Sequence, residues 1–341
     1  MDVFKLIDSK IVDIAEVVVC LFDHCNLKCV FCHQDHDNTT GASREEVLSK
    51  VPGIVDWINS NQRSTVFKIN IMGGELFQDR WVDAGFLEIY QQFIDDIHRL
   101  TKPGLTIIPN FVTNLVFSPS TADKVLNFIN RNALKIAPSY DPCGRFNATD
   151  LETFKTNVEK FEAVIGSVGI VITRQNIAAV IKGDPYFDYL YERFVIYWDT
   201  LLPALPDVSE QLMPKESEML ALYKLLVDRY PKCVNISYFT ETSETGVNKM
   251  SCTRGNCYTV FYDNSVPKGC SGAATIRDNA TAEVWAPIVV QKFFDMYNCF
   301  QCEYFSKCPF TCFIKNDYKK IDRDVGECVF KLTYQYVESK K

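Results

Sequence analysis

Three cysteines, Cys25, Cys29 and Cys32, are spaced three and then two residues apart in CNLKCVFC, directly after a β-branched run. A loop that short can present three thiolates to one inorganic centre. A four-iron cluster needs four ligands, so three cysteines leave one iron open to a substrate or cofactor, which pure electron transfer does not require. A zinc knuckle completed by His24, His33 or His36 is the competing reading, because Zn(II) also takes Cys and His at short spacing. A second group fills the last quarter of the chain: Cys252, Cys257, Cys270, Cys299, Cys302, Cys308, Cys312 and Cys328. Eight thiolates make two closed sets of four, suited either to two four-iron clusters or to two structural zinc sites. Cys20, Cys143 and Cys233 match no ligand position. The N-terminal MDVFKLIDSK lacks the basic-then-apolar pattern of an export signal, so fourteen cysteines point to metal ligation in a reducing, cytoplasmic compartment.

The elements that must position these thiols follow from periodicity. Between residues 15 and 240, short β-branched or apolar runs alternate with longer amphipathic stretches, the pattern of strand-helix units and a parallel sheet. Strands are expected at 16–21, 67–72, 105–111, 134–139, 168–173 and 194–198, and helices at 43–60, 81–100, 120–131, 150–164 and 215–229. Ser43 followed by Glu46 has the spacing of a capping box. This order predicts an α/β fold of the (βα) barrel type, in which functional residues cluster at the C-terminal ends of strands. The motifs fall there: the cysteine loop after strand one, Gly73-Gly74-Glu75 after strand two, Thr113-Asn114 after strand three, and Ser139-Tyr140-Asp141 after strand four. From about residue 250 the pattern gives way to short, cysteine-rich, aromatic segments. The expected division is a barrel over 1–240 and a metal-stapled module over 241–341.

The cysteine loop and the Gly-Gly-Glu together resemble the radical S-adenosylmethionine (SAM) superfamily. The resemblance implies a partial (βα)6 TIM-like barrel in which Cys25, Cys29 and Cys32 bind a 4Fe-4S cluster whose open iron is chelated by SAM. One electron then cleaves SAM to methionine and a 5′-deoxyadenosyl radical. Carried over by position, Phe31 would lie near adenine, Gly73, Gly74 and Glu75 near the SAM amino group, and Asn114, Ser139 and Asp141 near SAM. Leu115 stands where the family's Thr-Asn-Gly turn has glycine. Arg145 or Arg174 is a candidate partner for the SAM carboxylate.

The C-terminal series Cys299-x2-Cys302-x5-Cys308-x3-Cys312 resembles the SPASM domain of radical SAM enzymes that modify peptides and proteins. By that resemblance Cys252, Cys257, Cys270 and Cys312 hold a first auxiliary 4Fe-4S cluster, and Cys299, Cys302, Cys308 and Cys328 a second, which makes three clusters in all. Ser265 stands where the family usually has glycine.

The resemblance implies hydrogen abstraction from a peptide or protein substrate, with a flavodoxin or ferredoxin type electron donor. The barrel begins almost at the N-terminus, without room before it for an extra peptide-recognition domain, so a nucleobase, nucleotide-linked group or DNA base is the alternative substrate. The net charge of −7 gives nucleic acid no general attraction. No run of about eighteen apolar residues suggests a membrane span. A metal-stapled binding or electron-carrier protein is the non-enzymatic alternative. The catalytic acid or base is not legible; Tyr238, Glu241 and Glu244 are positional candidates only.

Overall fold

The computed structural model describes residues 14–32, 34–201, 211–240, 257–266, 294–305, 308 and 324–341. Along β1 (Ile14–Cys20) every second residue, Ala15, Val17 and Val19, is buried, while Glu16, Val18 and Cys20 occupy the other face. The same alternation runs through β2 (Val66–Met72), where Phe67, Ile69 and Ile71 are buried and Lys68, Asn70 and Met72 share the opposite face. This two-residue period sends one set of side chains into the hydrophobic core and the other to the inner face of the sheet.

Parallel pairing continues through β3 (Thr106–Thr113) and β4 (Lys135–Pro138). Single bridges, Ile136 to Ile165 and Ser139 to Gly169, carry the order on to β5 (Val168–Ile172), which pairs in parallel with β6 (Ile196–Thr200). On the other side of β1 lies β7 (Cys257–Val260), also parallel. The strand order is therefore β7-β1-β2-β3-β4, then β5-β6, a partial barrel as the sequence predicts.

Helices fill the crossovers: α1 (Arg44–Leu48), α2 (Val51–Ser60), α3 (Asp79–Asp83), α4 (Phe86–Leu100), α5 (Pro119–Arg131), α6 (Ala148–Phe161), α7 (Arg174–Ile181), α8 (Pro185–Arg193), α9 (Glu216–Arg229) and α10 (Val234–Thr240). The final helix, α11 (Val329–Glu338), packs on α9. No described helix is long and apolar enough to cross a membrane.

Several boundaries differ from the sequence reading. The helix expected over 43–60 is two helices, since Pro52 lacks an N–H and can only open a new one. Ser43 does cap the first, accepting the Glu46 N–H at 3.2 Å. The helix expected over 81–100 breaks at Gly85, whose φ of +82° belongs to the left-handed region. The sixth strand starts at Ile196 rather than 194, because Phe194 closes α8 through its N–H to Leu190 O. The strand at 257–260 joins the sheet from within the region expected to hold only the cysteine-rich module.

Candidate iron-sulfur and cofactor site

The loop after β1 is fixed by backbone hydrogen bonds before any metal is considered. Cys25 N–H donates to His36 O at 3.1 Å, Cys32 N–H to Cys29 O at 3.1 Å, and Val30 N–H to Gly144 O at 2.9 Å. Its three thiols are mutual neighbours: burial, above all, pushes Cys25 up to about 12, with Cys29 and Cys32 adding to it. Donors surround them. The Leu27 N–H lies 3.4 Å and the Asn114 Nδ2 3.8 Å from Cys25 Sγ, and the Arg145 guanidinium favours the thiolate of Cys29. Such donors lower the charge cost of a thiolate and tune a cluster bound to it. Of the knuckle candidates, His24 contacts Arg80 at 3.0 Å and packs edge-on against Trp81, while His33 lies outside the described residues. No three His, Cys, Asp or Glu side chains among the described residues converge on a single ion. A four-iron cluster takes one thiolate per iron, and three half-buried to buried thiols ringed by donors fit that requirement.

Gly73 and Gly74 are needed by the cysteine loop itself. A β-carbon on Gly74 would stand 1.9 Å from His24 O, and one on Gly73 2.4 Å from Phe22 O. Hydrogen bonds from Gly74 N–H to Phe22 O (2.7 Å) and from Glu75 N–H to His24 O (3.1 Å) stitch the β2 end to that loop. The Glu75 side chain is fully buried; Oε1 accepts from Phe77 N and Thr113 Oγ1, both at 2.9 Å, and Oε2 from Asn114 N. Burial raises its carboxyl, and these donors pull it back. The carboxylate thus joins the ends of β2 and β3. Asn114 in turn bonds Asn26 Oδ1 at 2.9 Å, and Asn26 Nδ2 bonds Val116 O at 2.6 Å. Leu115 takes the place of the turn glycine by adopting φ +54° itself while staying fully buried.

Asp141 is buried, with Oδ1 accepting from Val171 N (2.8 Å) and Asn176 Nδ2 (2.7 Å) and Oδ2 from Arg145 Nε (2.7 Å). Those bonds orient the guanidinium, whose centre lies 5.2 Å from the Phe31 ring. Ser139, half-buried, continues β4 with its N–H on Thr113 O. Arg174 is instead tied to Glu218 at 3.0 Å between α7 and α9, which leaves Arg145 as the arginine beside the cysteine loop. Sequence reasoning missed Asn26 and Asn176; the only signal for Asn26 was its position between two candidate ligands.

In the C-terminal region the thiols of Cys299, Cys302 and Cys328 neighbour one another, and Cys308 lies with Cys328 near Tyr223 and with Cys302 near Tyr334. Burial pushes Cys299 up to about 12, with Cys328 and Cys302 adding to it, and Cys328 up to about 11, with Cys302 adding. Cys328 opens α11, where the Phe330 and Lys331 N–H groups reach its sulfur. Cys257 pairs with Glu16 near the start of β1, so it stands about 13 Å along the strands from the Cys20 end, at ~3.3 Å per residue. Cys252, Cys270 and Cys312 lie outside the described residues, as do Glu241, Glu244 and the Tyr238 side chain.

No family model matches the chain, and no curated protein does. Solved structures do. The chain matches native anSMEcpe with bound AdoMet and Cp18Cys peptide over 96% of its own length and 97% of that chain, at a TM-score of 0.63 and 18% identity. It matches Streptococcus suis SuiB bound to S-adenosylmethionine over 92% of its length and 77% of that chain, at 0.52 and 13%. It also matches SuiB bound to precursor peptide SuiA over 93% and 76%, at 0.51 and 13%. At these identities the likeness establishes the fold: the partial barrel is shared with proteins solved with AdoMet at hand.

Proposed function

We propose that this chain is a radical SAM enzyme acting on a peptide or protein. The observation that carries the reading is the barrel mouth, where one loop gathers Cys25, Cys29 and Cys32 beside Arg145 and Asn114. The fold supports it, being shared with AdoMet-bound anSMEcpe and SuiB over nearly the whole chain, and the peptides in those structures support the substrate class. Cys25, Cys29 and Cys32 would hold a four-iron cluster, which when bound supplies the electron that splits SAM into methionine and a hydrogen-abstracting 5′-deoxyadenosyl radical.

The chain's own part is orientation. Asp141 engages only Nε of Arg145, leaving the terminal nitrogens to bind a carboxylate such as that of SAM. Phe31 offers a flat face beside that guanidinium for an adenine ring. Glu75 fixes the β3 turn, and through it Asn114 donates toward the Cys25 sulfur. Gly73 and Gly74 keep the β2 end against the loop, which helps to exclude water from the site. We assign Cys299, Cys302, Cys308 and Cys328 to one auxiliary cluster, and Cys252, Cys257, Cys270 and Cys312 to another, in a SPASM-like module spanning 241–341. A flavodoxin or ferredoxin type protein is the electron donor in this reading.

Anaerobic reconstitution with iron and sulfide, followed by SAM and dithionite, is expected to release 5′-deoxyadenosine, and Cys29→Ala is expected to release none. Candidate peptides and nucleosides added to the same assay identify the substrate class by product mass. Bound zinc without iron, together with no 5′-deoxyadenosine, would overturn the enzyme reading. Turnover of a nucleoside and of no peptide would overturn the substrate class alone.

A further inference from the structure

Tyr223 lies in the middle of α9, is 1% exposed, and packs against Phe239 and Phe330 with ring centroids 5.6 and 6.2 Å away. Other well-buried tyrosines have found acceptors: Tyr90 donates to Leu76 O at 3.0 Å, Tyr140 to Asp184 at 3.0 Å, and Tyr230 to Asp188. The Tyr223 hydroxyl is buried and has no hydrogen-bond partner among the described residues. A buried donor without an acceptor is costly, and phenylalanine would fill the same aromatic space without that cost. The groups whose charge its phenol feels, after burial itself, are the thiols of Cys328 and Cys308. Both are assigned above to one auxiliary cluster, and Phe330, packed on the Tyr223 ring, is two residues past Cys328, so the hydroxyl lies in the neighbourhood where cluster sulfur would sit.

We infer that the Tyr223 hydroxyl donates a hydrogen bond to a sulfur of the cluster held by Cys299, Cys302, Cys308 and Cys328. It is a positioning and tuning residue that the barrel contributes to the C-terminal centre. The inference rests on the auxiliary-cluster assignment above. Hydrogen bonds to cluster sulfur favour the more negative, reduced state and so raise the reduction potential. Cys328 already receives N–H donors from the start of α11. Tyr223 adds one from a different element, which ties the centre's electronics to the position of α9.

The test is Tyr223→Phe in the full chain, with Cys25, Cys29 and Cys32 changed to Ala so that only the auxiliary centres contribute. Iron and sulfide content is expected to equal that of the same chain carrying Tyr223. Potentiometric EPR is expected to show one of the two centres becoming harder to reduce, by about tenfold in its equilibrium constant, or ~59 mV for a one-electron couple. Pulsed EPR in D2O is expected to lose an exchangeable deuteron coupling from that same centre. Intact iron content with both potentials and the deuteron coupling unchanged would overturn the hydrogen bond and leave the cluster assignment standing. A parent chain that binds no iron in its C-terminal region would instead overturn the assignment.

Discussion

Glu75 shows what one side chain does to a site before any ligand arrives. Its three donors come from Phe77, Thr113 and Asn114, so it works as a latch between two strand ends. Glu75→Gln would set an amide NH2 against at least one of those N–H or O–H donors. The expected loss is about 3 kcal/mol in urea unfolding, from a charge-assisted bond removed and a buried donor left unmet. An unchanged midpoint would mean that the carboxylate does not hold the β3 turn. The Gly-Gly-Glu motif was legible by its resemblance, yet this role was not, since Thr113 and Asn114 lie far along the chain and hydrogen-bond partners are not written in residue types. Leu115 teaches the converse. It looked like a departure from the turn, but a left-handed residue costs about 1–2 kcal/mol, and burying a leucine side chain offsets that by about 2 kcal/mol.

Among the elements, the strands that alternate with helices were legible, including the four-residue β4, and the one that lies among the cysteines was not. β1 and β2 alternate apolar and lumen-facing residues over seven positions each, whereas β7 has four residues set among cysteines and pairs with the opposite end of the chain. Beyond its pairing with β1, a buried lysine ties down the turn that follows β7. Lys50, 2% exposed, donates to Glu46 O at 2.9 Å, Tyr262 O at 3.1 Å and Asn264 Oδ1 at 3.1 Å, linking α1 and α2 to the turn that follows β7. Lys50→Met keeps the volume and abandons those acceptors. The expected cost is about 2 kcal/mol, confined to that segment. Amide hydrogen exchange at 257–260 should then quicken by roughly 30-fold, at 1.4 kcal/mol per tenfold, with β2 and β3 unaffected. Uniform acceleration across the sheet would show that β7 is held by something else.

At the scale of the whole molecule, the two cysteine groups stand out in residue type and spacing, while the difference in how the backbone supports each group does not. The loop at 25–32 is held by bonds to distant backbone, from Cys25 to His36, Val30 to Gly144 and Asn26 to Val116. Among the described residues the backbone bonds at Cys299 and Cys302 are local turns, Cys302 to Cys299 and Phe305 to Cys302, so in the proposed reading a cluster there would have more of the fold to supply. Cys328→Ala should therefore lower bound iron by about four per chain, whereas Cys233→Ala, an isolated buried thiol, should leave it unchanged. Anaerobic chelation of the reconstituted protein should abolish exchange protection at 299–305 first. α11 should persist longer, because Phe330, Tyr334 and Val337 are buried in the core it shares with α9. The loop at 25–32 should keep its protection after its iron has gone, since its hydrogen bonds do not pass through metal. Early loss of protection at 25–32, with 299–305 still protected, would reverse that order and place the structural dependence on iron at the barrel mouth instead.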